Sequence, residues 1–217
     1  MAAHSRTEPA DVAHTRTAYD DLADVYAEFA RDHLAAQPFD RAMLGVFAEL
    51  VRANGSGRVA DLGCGEGRMT AHLSELGLDS FGIDLSPRLI AHARAQYPAL
   101  TFDEGTLEHL EIADGTLAGV LAWYSFIHLP PERIPDVLTE FHRVLDNSGH
   151  ALLAFQATAG QDVEPFDHKV IRSYRWSPDR LAALADQAGF TATARLVREP
   201  DPGERGRQAY LLLVKDH

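Results

Sequence analysis

The segment Val59-Ala60-Asp61-Leu62-Gly63-Cys64-Gly65-Glu66-Gly67-Arg68 joins a short apolar run to a glycine-rich turn, with a carboxylate just before the first glycine. Glycines at the end of a strand let a ligand lie against backbone, at the carboxyl edge where open α/β sheets bind their ligands. The spacing is G-x-G-x-G; the dinucleotide fingerprint G-x-G-x-x-G needs glycine where Arg68 stands. Asp61 favours a cationic ligand at this turn and repels a pyrophosphate. About 20 residues on, Gly82-Ile83-Asp84 sets a second carboxylate at the end of the next strand, from where it accepts both hydroxyls of a ribose. Two carboxylates so placed suit an adenosine bearing a sulfonium and an ammonium. They do not suit a diphosphate.

Other residue types bear on chemistry more weakly. Tyr19 and Tyr26 stand two helical turns apart and share a face. An aromatic face beside a cationic ligand gains cation–π attraction, and packing into the core is the competing reading. His128, just past Tyr124, is the acid/base candidate, because imidazole accepts a proton near neutral pH; a positional role competes with it. Tyr124 is grouped with it as a catalytic candidate. His168, Tyr174, Arg175 and Trp176 precede the last main helix in a segment that can overhang an acceptor, and Arg175 or Arg205 can grip a carboxylate with both guanidinium arms. Cys64 has no base beside it and reads as a small residue that the loop requires. His109-Leu110-Glu111 matches part of a zinc-deaminase motif, but C-x-x-C is missing, so no metal is expected.

The elements that must position these residues follow from hydrophobic rhythm. Helical spacing runs from Asp11 to Ala36 and is broken by Pro38; a second helix carries Met43, Leu44, Phe47, Leu50 and Val51 and ends at Asn54-Gly55. Strands are then expected over 58–62, 78–84, 100–104, 117–124, 150–158, 190–198 and 208–215. Helices intervene at 68–76, from Ser86-Pro87 to Pro98, over 131–145, and from Ser177-Pro178 to Gly189. Alternating strands and helices imply parallel pairing with helices on both faces, and the closing strand–turn–strand implies an antiparallel excursion at one edge. Residues 1–10 are expected to be disordered, and 11–217 to form one domain: an N-terminal helical cap, 11–55, and an α/β core, 56–217.

With 217 residues and 46% hydrophobic content, the chain can bury one sizeable core. A formal net charge of −12 argues against a duplex nucleic-acid partner, which needs a basic surface. The single cysteine permits no internal disulfide, the first residues lack the apolar core of a signal peptide, and the longest apolar stretch, Leu117 to Leu129, is too short for a membrane span. A cytoplasmic monomer or homodimer without a membrane partner is expected.

Together these motifs make the chain resemble the class I methyltransferases, in their compact small-molecule branch. VADLGCGEG is similar to that family's first motif and FGIDLSP to its acidic second one; LAGVLAWYSFIHLPP and LDNSGHALLAF resemble its fourth- and fifth-strand motifs. The resemblance runs from about Tyr19 to Val214. It implies a Rossmann-like fold with a mostly parallel seven-stranded sheet, S-adenosyl-L-methionine as cofactor, and methyl transfer to a small-molecule acceptor. It also implies that Asp61, Gly63, Cys64, Gly65 and Gly67 surround the methionine part of the donor. Asp84 would then hold the ribose, Leu85, Thr106 and Leu107 the adenine, and Trp123 the strand-end wall, with Tyr26 covering the donor from the first helix. Tyr19, Tyr174, Arg175 and Arg205 would face the acceptor, with His128 and Tyr124 at the reaction. Two alternatives stay open at this point: a non-catalytic protein that binds S-adenosylmethionine or S-adenosylhomocysteine, and a nicotinamide-dependent oxidoreductase.

Overall fold

The computed structural model describes residues 9–216 except 31–33, 56 and 169, and within the first helix it leaves out the side chains of 25–30. The expectation of disorder over residues 1–10 falls mostly on residues outside this set. Among the described residues no helix is long and apolar enough to cross a membrane.

The chain begins with α1 (Ala10–Ala30) and α2 (Pro38–Ala53), then alternates β1 (Arg58–Leu62), α3 (Arg68–Glu75), β2 (Asp79–Asp84), α4 (Pro87–Gln96), β3 (Thr101–Glu104) and β4 (Leu117–Trp123). It continues with α5 (Ile134–Val144), β5 (Leu145–Gln156), the short strands β6 (Glu164–Asp167) and β7 (Arg172–Arg175), α6 (Pro178–Gln187), β8 (Phe190–Arg198) and β9 (Gln208–Lys215). The main sheet has seven strands in the order β3-β2-β1-β4-β5-β9-β8. β1 to β5 run parallel, and β9 and β8 pair antiparallel at one edge. Strand order reverses between β1 and β4, so a crevice opens above their carboxyl ends.

Parallel strands are buried on both faces, which is why β4 carries LAGVLAW with every residue buried. One face packs Ile134, Val137, Leu138 and Phe141 of α5 with Leu181 and Ala185 of α6. The other packs Met43, Leu44, Phe47 and Val51 of α2 with Leu73 of α3. Each fully buried Leu, Ile or Phe contributes about 1.5–3 kcal/mol. These two layers therefore hold the upper edge of the sheet rigid enough to carry a site.

Three expectations need correction. The first helix does not run to Ala36: α1 ends at Ala30, and Leu34–Ala36 form a separate 3-10 turn before Gln37, whose backbone is drawn out (φ −109, ψ 89) by the proline after it. The helix expected over 131–145 begins later, at Ile134, after a 3-10 turn over Pro131–Arg133. The helix already ends at Val144, because Leu145 is buried and pairs with Leu117, which starts β5 five residues early, relative to the expected His150. The segment before α6, for which no strand is expected, contains the β6–β7 hairpin. Its strands are short and lack the apolar alternation that marks a half-buried strand.

Candidate functional site

At the end of β1 the chain turns sharply onto β2, where the amides of Gly63 and Cys64 both donate to the Ile83 carbonyl, at 2.7 and 3.0 Å. The turn needs glycine for two reasons. Gly63, Gly65 and Gly67 all have positive φ (76, 57 and 86). A Cβ on Gly63 would also lie 2.2 Å from the Cβ of Ser125, after β4. The loop is thus pressed against the β4 end, leaving backbone exposed to the crevice.

Asp84, at the tip of β2, ties the turn down: Oδ2 accepts from the Gly65 amide and Oδ1 from the Ser86 amide, both at 2.8 Å. Burial raises its pKa, and the amides of Ser86 and Gly65 oppose the shift. Asp61 sits deeper. It has no exposed surface; Oδ2 accepts from the Thr70 hydroxyl at 2.7 Å, and the buried Oδ1 has no partner. Burial pushes its pKa up to about 7, against the Thr70 hydrogen bond and the Arg68 charge. Beside it, Glu66 is buried and pairs with Arg68 at 3.1 Å. Burial raises the pKa of Glu66, and the Arg68 guanidinium opposes that rise.

Above the turn lies a cleft of about 810 Å³, counting the solvent at its mouth. Gly63, Gly65, Asp84 and Leu85 form one part of its lining, Thr106 and Leu107 the β3 side, and Trp123 and Tyr124 the β4 side. Tyr124 has φ 55, a left-handed backbone that is costly for a tyrosine and recurs where function needs it. Burial raises its phenol pKa well above the usual range.

α1 lies along the cleft and supplies Asp11, Val12, Thr15 and Tyr19 to its lining. Polar bonds hold it there. Ser86 Oγ donates to Asp20 Oδ1 at 2.5 Å, Arg16 Nε to the Leu85 carbonyl at 3.2 Å, and Arg88 and His92 meet Asp24 at 3.0 and 2.9 Å.

His128 joins three elements at the cleft wall. Its Nε2 lies 2.7 Å from the Tyr19 hydroxyl and its Nδ1 lies 2.8 Å from Ser173 Oγ. Ser173 donates to the Ile171 carbonyl at 3.2 Å, so it accepts from Nδ1–H, and Nε2 accepts from Tyr19. Burial, with His168 nearby, pushes the His128 pKa down to about 3, so the ring is neutral at physiological pH.

Of the expected donor contacts, Gly63, Gly65, Asp84, Leu85, Thr106, Leu107 and Trp123 line the cleft, and so do Tyr19, Tyr124 and His128. Asp61, Cys64 and Gly67 do not. Asp61 and Cys64 are buried behind the loop, and a Cβ on Gly67 would strike the Phe102 ring 2.7 Å away. Tyr26 falls within 25–30, whose side chains lie outside those described. The expected acceptor grip does not form. Arg175 stacks over the Phe166 ring at 4.5 Å and donates to the Arg205 carbonyl. Arg205 donates to the Asp167 carbonyl, and Tyr174 pairs with Pro165 across the hairpin. These side chains pack on the β6–β7 hairpin and its neighbouring loop, and none lines the cleft. Sequence reasoning missed Asp11, Glu108, Ser125 and Ser173. Only Ser125, next to the β4 tip, had a local signal.

Residues 59–149 match the family described as "Methyltransferase domain". The demethylmenaquinone methyltransferase of Chlorobaculum parvum is 31% identical over 143 residues, covering 64% of this chain and 58% of that protein. This chain therefore spans little more than half the length of that curated relative. Among solved structures, the 1,6-didemethyltoxoflavin-N1-methyltransferase of Burkholderia thailandensis, with 1,6-didemethyltoxoflavin and S-adenosylhomocysteine bound, superposes with a TM-score of 0.74 at 20% identity, covering 100% of this chain and 94% of that one. The magnesium protoporphyrin IX methyltransferase of Synechocystis, with S-adenosylmethionine bound, superposes with a TM-score of 0.72 at 17% identity, covering 98% and 100%. Residues 59–149 are thus similar to methyltransferase domains, and the chain shares its fold with these two methyltransferases.

Proposed function

With that similarity as the premise, we propose that this chain is a class I S-adenosylmethionine-dependent methyltransferase that binds its donor in the cleft above β1 and β4 and transfers the methyl group to a small-molecule acceptor. The observation that carries the reading is the pair formed by the Gly63–Gly67 turn and Asp84, whose Oδ2 accepts from the Gly65 amide at 2.8 Å on the cleft floor. The cofactor fits the residues present. Gly63 and Gly65 present backbone to the cleft, Asp84 offers acceptor lone pairs to a ribose, and Asp61, Glu66 and Asp84 give the turn a negative character that suits a sulfonium and an ammonium. The same three carboxylates, with Arg68 as their near counter-charge, disfavour the pyrophosphate of a nicotinamide cofactor.

When bound, S-adenosylmethionine supplies a methyl group already activated on sulfonium, so the protein has mainly to align and to exclude water. Asp84 and the turn fix the donor end. α1 covers the cleft and keeps bulk water out, held by Asp20, Asp24 and Arg16. Tyr19, Tyr124 and His128 surround the space left for the acceptor. His128 is neutral and its Nδ1 is anchored on Ser173, so Nε2 holds the Tyr19 hydroxyl in place at the cleft wall; with its pKa pushed down to about 3 the ring positions Tyr19 and is too weak a base to take the acceptor's proton.

Calorimetric titration with S-adenosylmethionine and S-adenosylhomocysteine tests the reading. Micromolar binding by the wild type and a loss of at least about tenfold in Asp84→Ala are expected, tenfold being about 1.4 kcal/mol. No binding by folded, ligand-free wild type overturns it.

A further inference from the structure

His128 is held between two hydroxyls whose bonding directions are both determined. Ser173, in β7, has no exposed surface; its Oγ donates to the Ile171 carbonyl at 3.2 Å and lies 2.8 Å from His128 Nδ1. A serine hydroxyl carries one hydrogen, so towards the ring it can only accept, and Nδ1 bears the proton of the neutral imidazole. Arg172, the residue before it, adds a backbone hydrogen bond that favours a proton on the same ring. Nε2 is then a bare lone pair, and the Tyr19 hydroxyl 2.7 Å away donates into it. Packing keeps the imidazole in this line: His168 stands edge-on to it at 5.2 Å, and Phe166 edge-on to His168 at 5.9 Å.

The consequence falls on the cleft side. Tyr19 spends its only hydrogen on His128, so its phenol oxygen meets a ligand in the cleft as an acceptor. A nucleophile that bears a hydrogen satisfies that oxygen, whereas one with lone pairs alone meets it lone pair to lone pair. The nucleophile also needs a lone pair for the methyl group. Hydroxyl and amine meet both demands, but a hydroxyl must lose its proton as the new bond forms. Neither neighbour takes that proton, because the Tyr19 hydroxyl is a donor and Nε2 already accepts from it. A neutral amine needs no base. Its nitrogen pair forms the bond to carbon, the carbon–sulfur pair stays on sulfur, and the positive charge passes from sulfonium to ammonium.

We propose that Ser173 is a positioning residue that fixes the His128 tautomer, makes Tyr19 a hydrogen-bond acceptor towards the cleft, and so selects a neutral amine nitrogen bearing at least one hydrogen as methyl acceptor. His128 moves no proton in this arrangement; it orients a phenol, and Ser173 decides which way. The proposal rests on the donor reading above.

The test uses the full chain loaded with S-adenosylhomocysteine. Calorimetry of that loading comes first, and failure of the wild type to bind overturns the donor reading itself. N-methylaniline and N,N-dimethylaniline then serve as probes, both neutral near physiological pH and differing in the N–H hydrogen. Ligand-observed NMR at millimolar concentration is expected to show N-methylaniline binding at least about tenfold more tightly, because it satisfies the buried acceptor. In Ser173→Ala the Nδ1 proton loses the hydroxyl that accepts it, Nε2–H can donate to Tyr19, and the phenol turns its hydrogen to the cleft. The preference is then expected to fall to within about threefold, and Ser173→Thr, which keeps the hydroxyl, to restore it. Proton–nitrogen correlation spectra of the His128 ring give the readout that lost packing alone does not move: Nδ1–H in the wild type and Ser173→Thr, both tautomers in Ser173→Ala. Equal affinity for the two anilines, no binding of either to the loaded wild type, or a wild-type ring protonated on Nε2 overturns the proposal and leaves the donor reading intact. So does a preference or a tautomer unchanged in Ser173→Ala. The first three results require no variant, so they decide even where a substitution impairs folding.

Discussion

Replacing Asp61 with asparagine separates what the buried carboxylate costs the fold from what it does for the ligand. Asp61 is fully buried, with Oδ1 unpartnered and Oδ2 on Thr70. Burial raises its pKa from 3.8 to about 7; Thr70 and Arg68 oppose the rise, and Glu66 and Asp84 add to it. An acid whose folded pKa lies above its unfolded value binds its proton more tightly when folded. Its contribution to stability is therefore full below pH 3.8 and is lost as pH rises towards and through 7. Each unit within that window is worth about 1.4 kcal/mol, so the wild type should lose about 2.5 kcal/mol between pH 5 and pH 8 from this group alone. The asparagine side chain in Asp61→Asn does not titrate. The substitution carries a constant cost of about 1–3 kcal/mol for an amide left without its partner. That cost cancels when the wild type-minus-variant difference is compared at the two pH values. Urea denaturation of the ligand-free chain should show the variant gaining about 2.5 kcal/mol on the wild type from pH 5 to pH 8. Binding of cationic S-adenosylmethionine near pH 7 should release more of a proton from the wild type than from the variant, measured as the buffer dependence of the binding enthalpy. A stability difference independent of pH would refute the reasoning.

Three further outcomes follow from the same geometry. Gly63→Ala adds a Cβ 2.2 Å from that of Ser125 to a residue at φ 76 and should cost about 2–4 kcal/mol. Gly55→Ala, at φ 104 with open space around it, should cost only about 1 kcal/mol, so equal melting temperatures for the two variants would contradict the close packing at the turn. His128, pushed down to about 3, favours the neutral ring in the fold, so its contribution to stability is present above pH 6.5 and lost as pH falls from there towards 3. Its ring carbon shifts should stay flat from pH 8 to pH 5, and titration near 6.5 would show that the Tyr19–His128–Ser173 chain does not form in solution. Tyr210→Phe removes the hydroxyl that donates to buried Asp40 and accepts from Arg198. Leaving that carboxylate short of a donor should cost about 1–3 kcal/mol, a fall of roughly 2–10 °C in Tm by calorimetry.

Features that depend on local backbone demand were legible from sequence, and features that depend on distant side chains were not. Gly63, Gly65 and Gly67 each need positive φ, and Asp84 must follow its strand to meet the Gly65 amide, so the donor end is written in two short motifs. β8 and β9 were bounded correctly at Phe190–Arg198 and Gln208–Lys215 because a turn-rich segment separates two β-rich runs. By contrast, His128 meets Tyr19 across 109 positions and Ser173 across 45. The serine that sets its tautomer has no mark of its own in the chain. Arg133, Glu108 and Asp11 read as solvated charges until folding gathers them at one edge of the cleft.

The misplaced expectation at Arg175 and Arg205 has the same origin. A cationic loop near an acceptor site suggests a grip on a carboxylate, but each guanidinium finds a partner nearby, Arg175 on Phe166 and the Arg205 carbonyl, Arg205 on the Asp167 carbonyl. With those arginines outside its lining, the part of the cleft proposed for the acceptor has Tyr19, Tyr124 and His128 along it, a wall of aromatic faces and hydrogen-bonding groups. An anionic acceptor would lose its hydration there without gaining a counter-charge. A neutral acceptor with an apolar body and a single hydroxyl or N–H loses far less, and the wall offers it the paired Tyr19 and His128 as hydrogen-bond partners. The expected outcome of an acceptor screen, read by release of S-adenosylhomocysteine, is turnover of neutral aromatic and heteroaromatic compounds ahead of carboxylates; faster turnover of carboxylates would refute this reading of the wall.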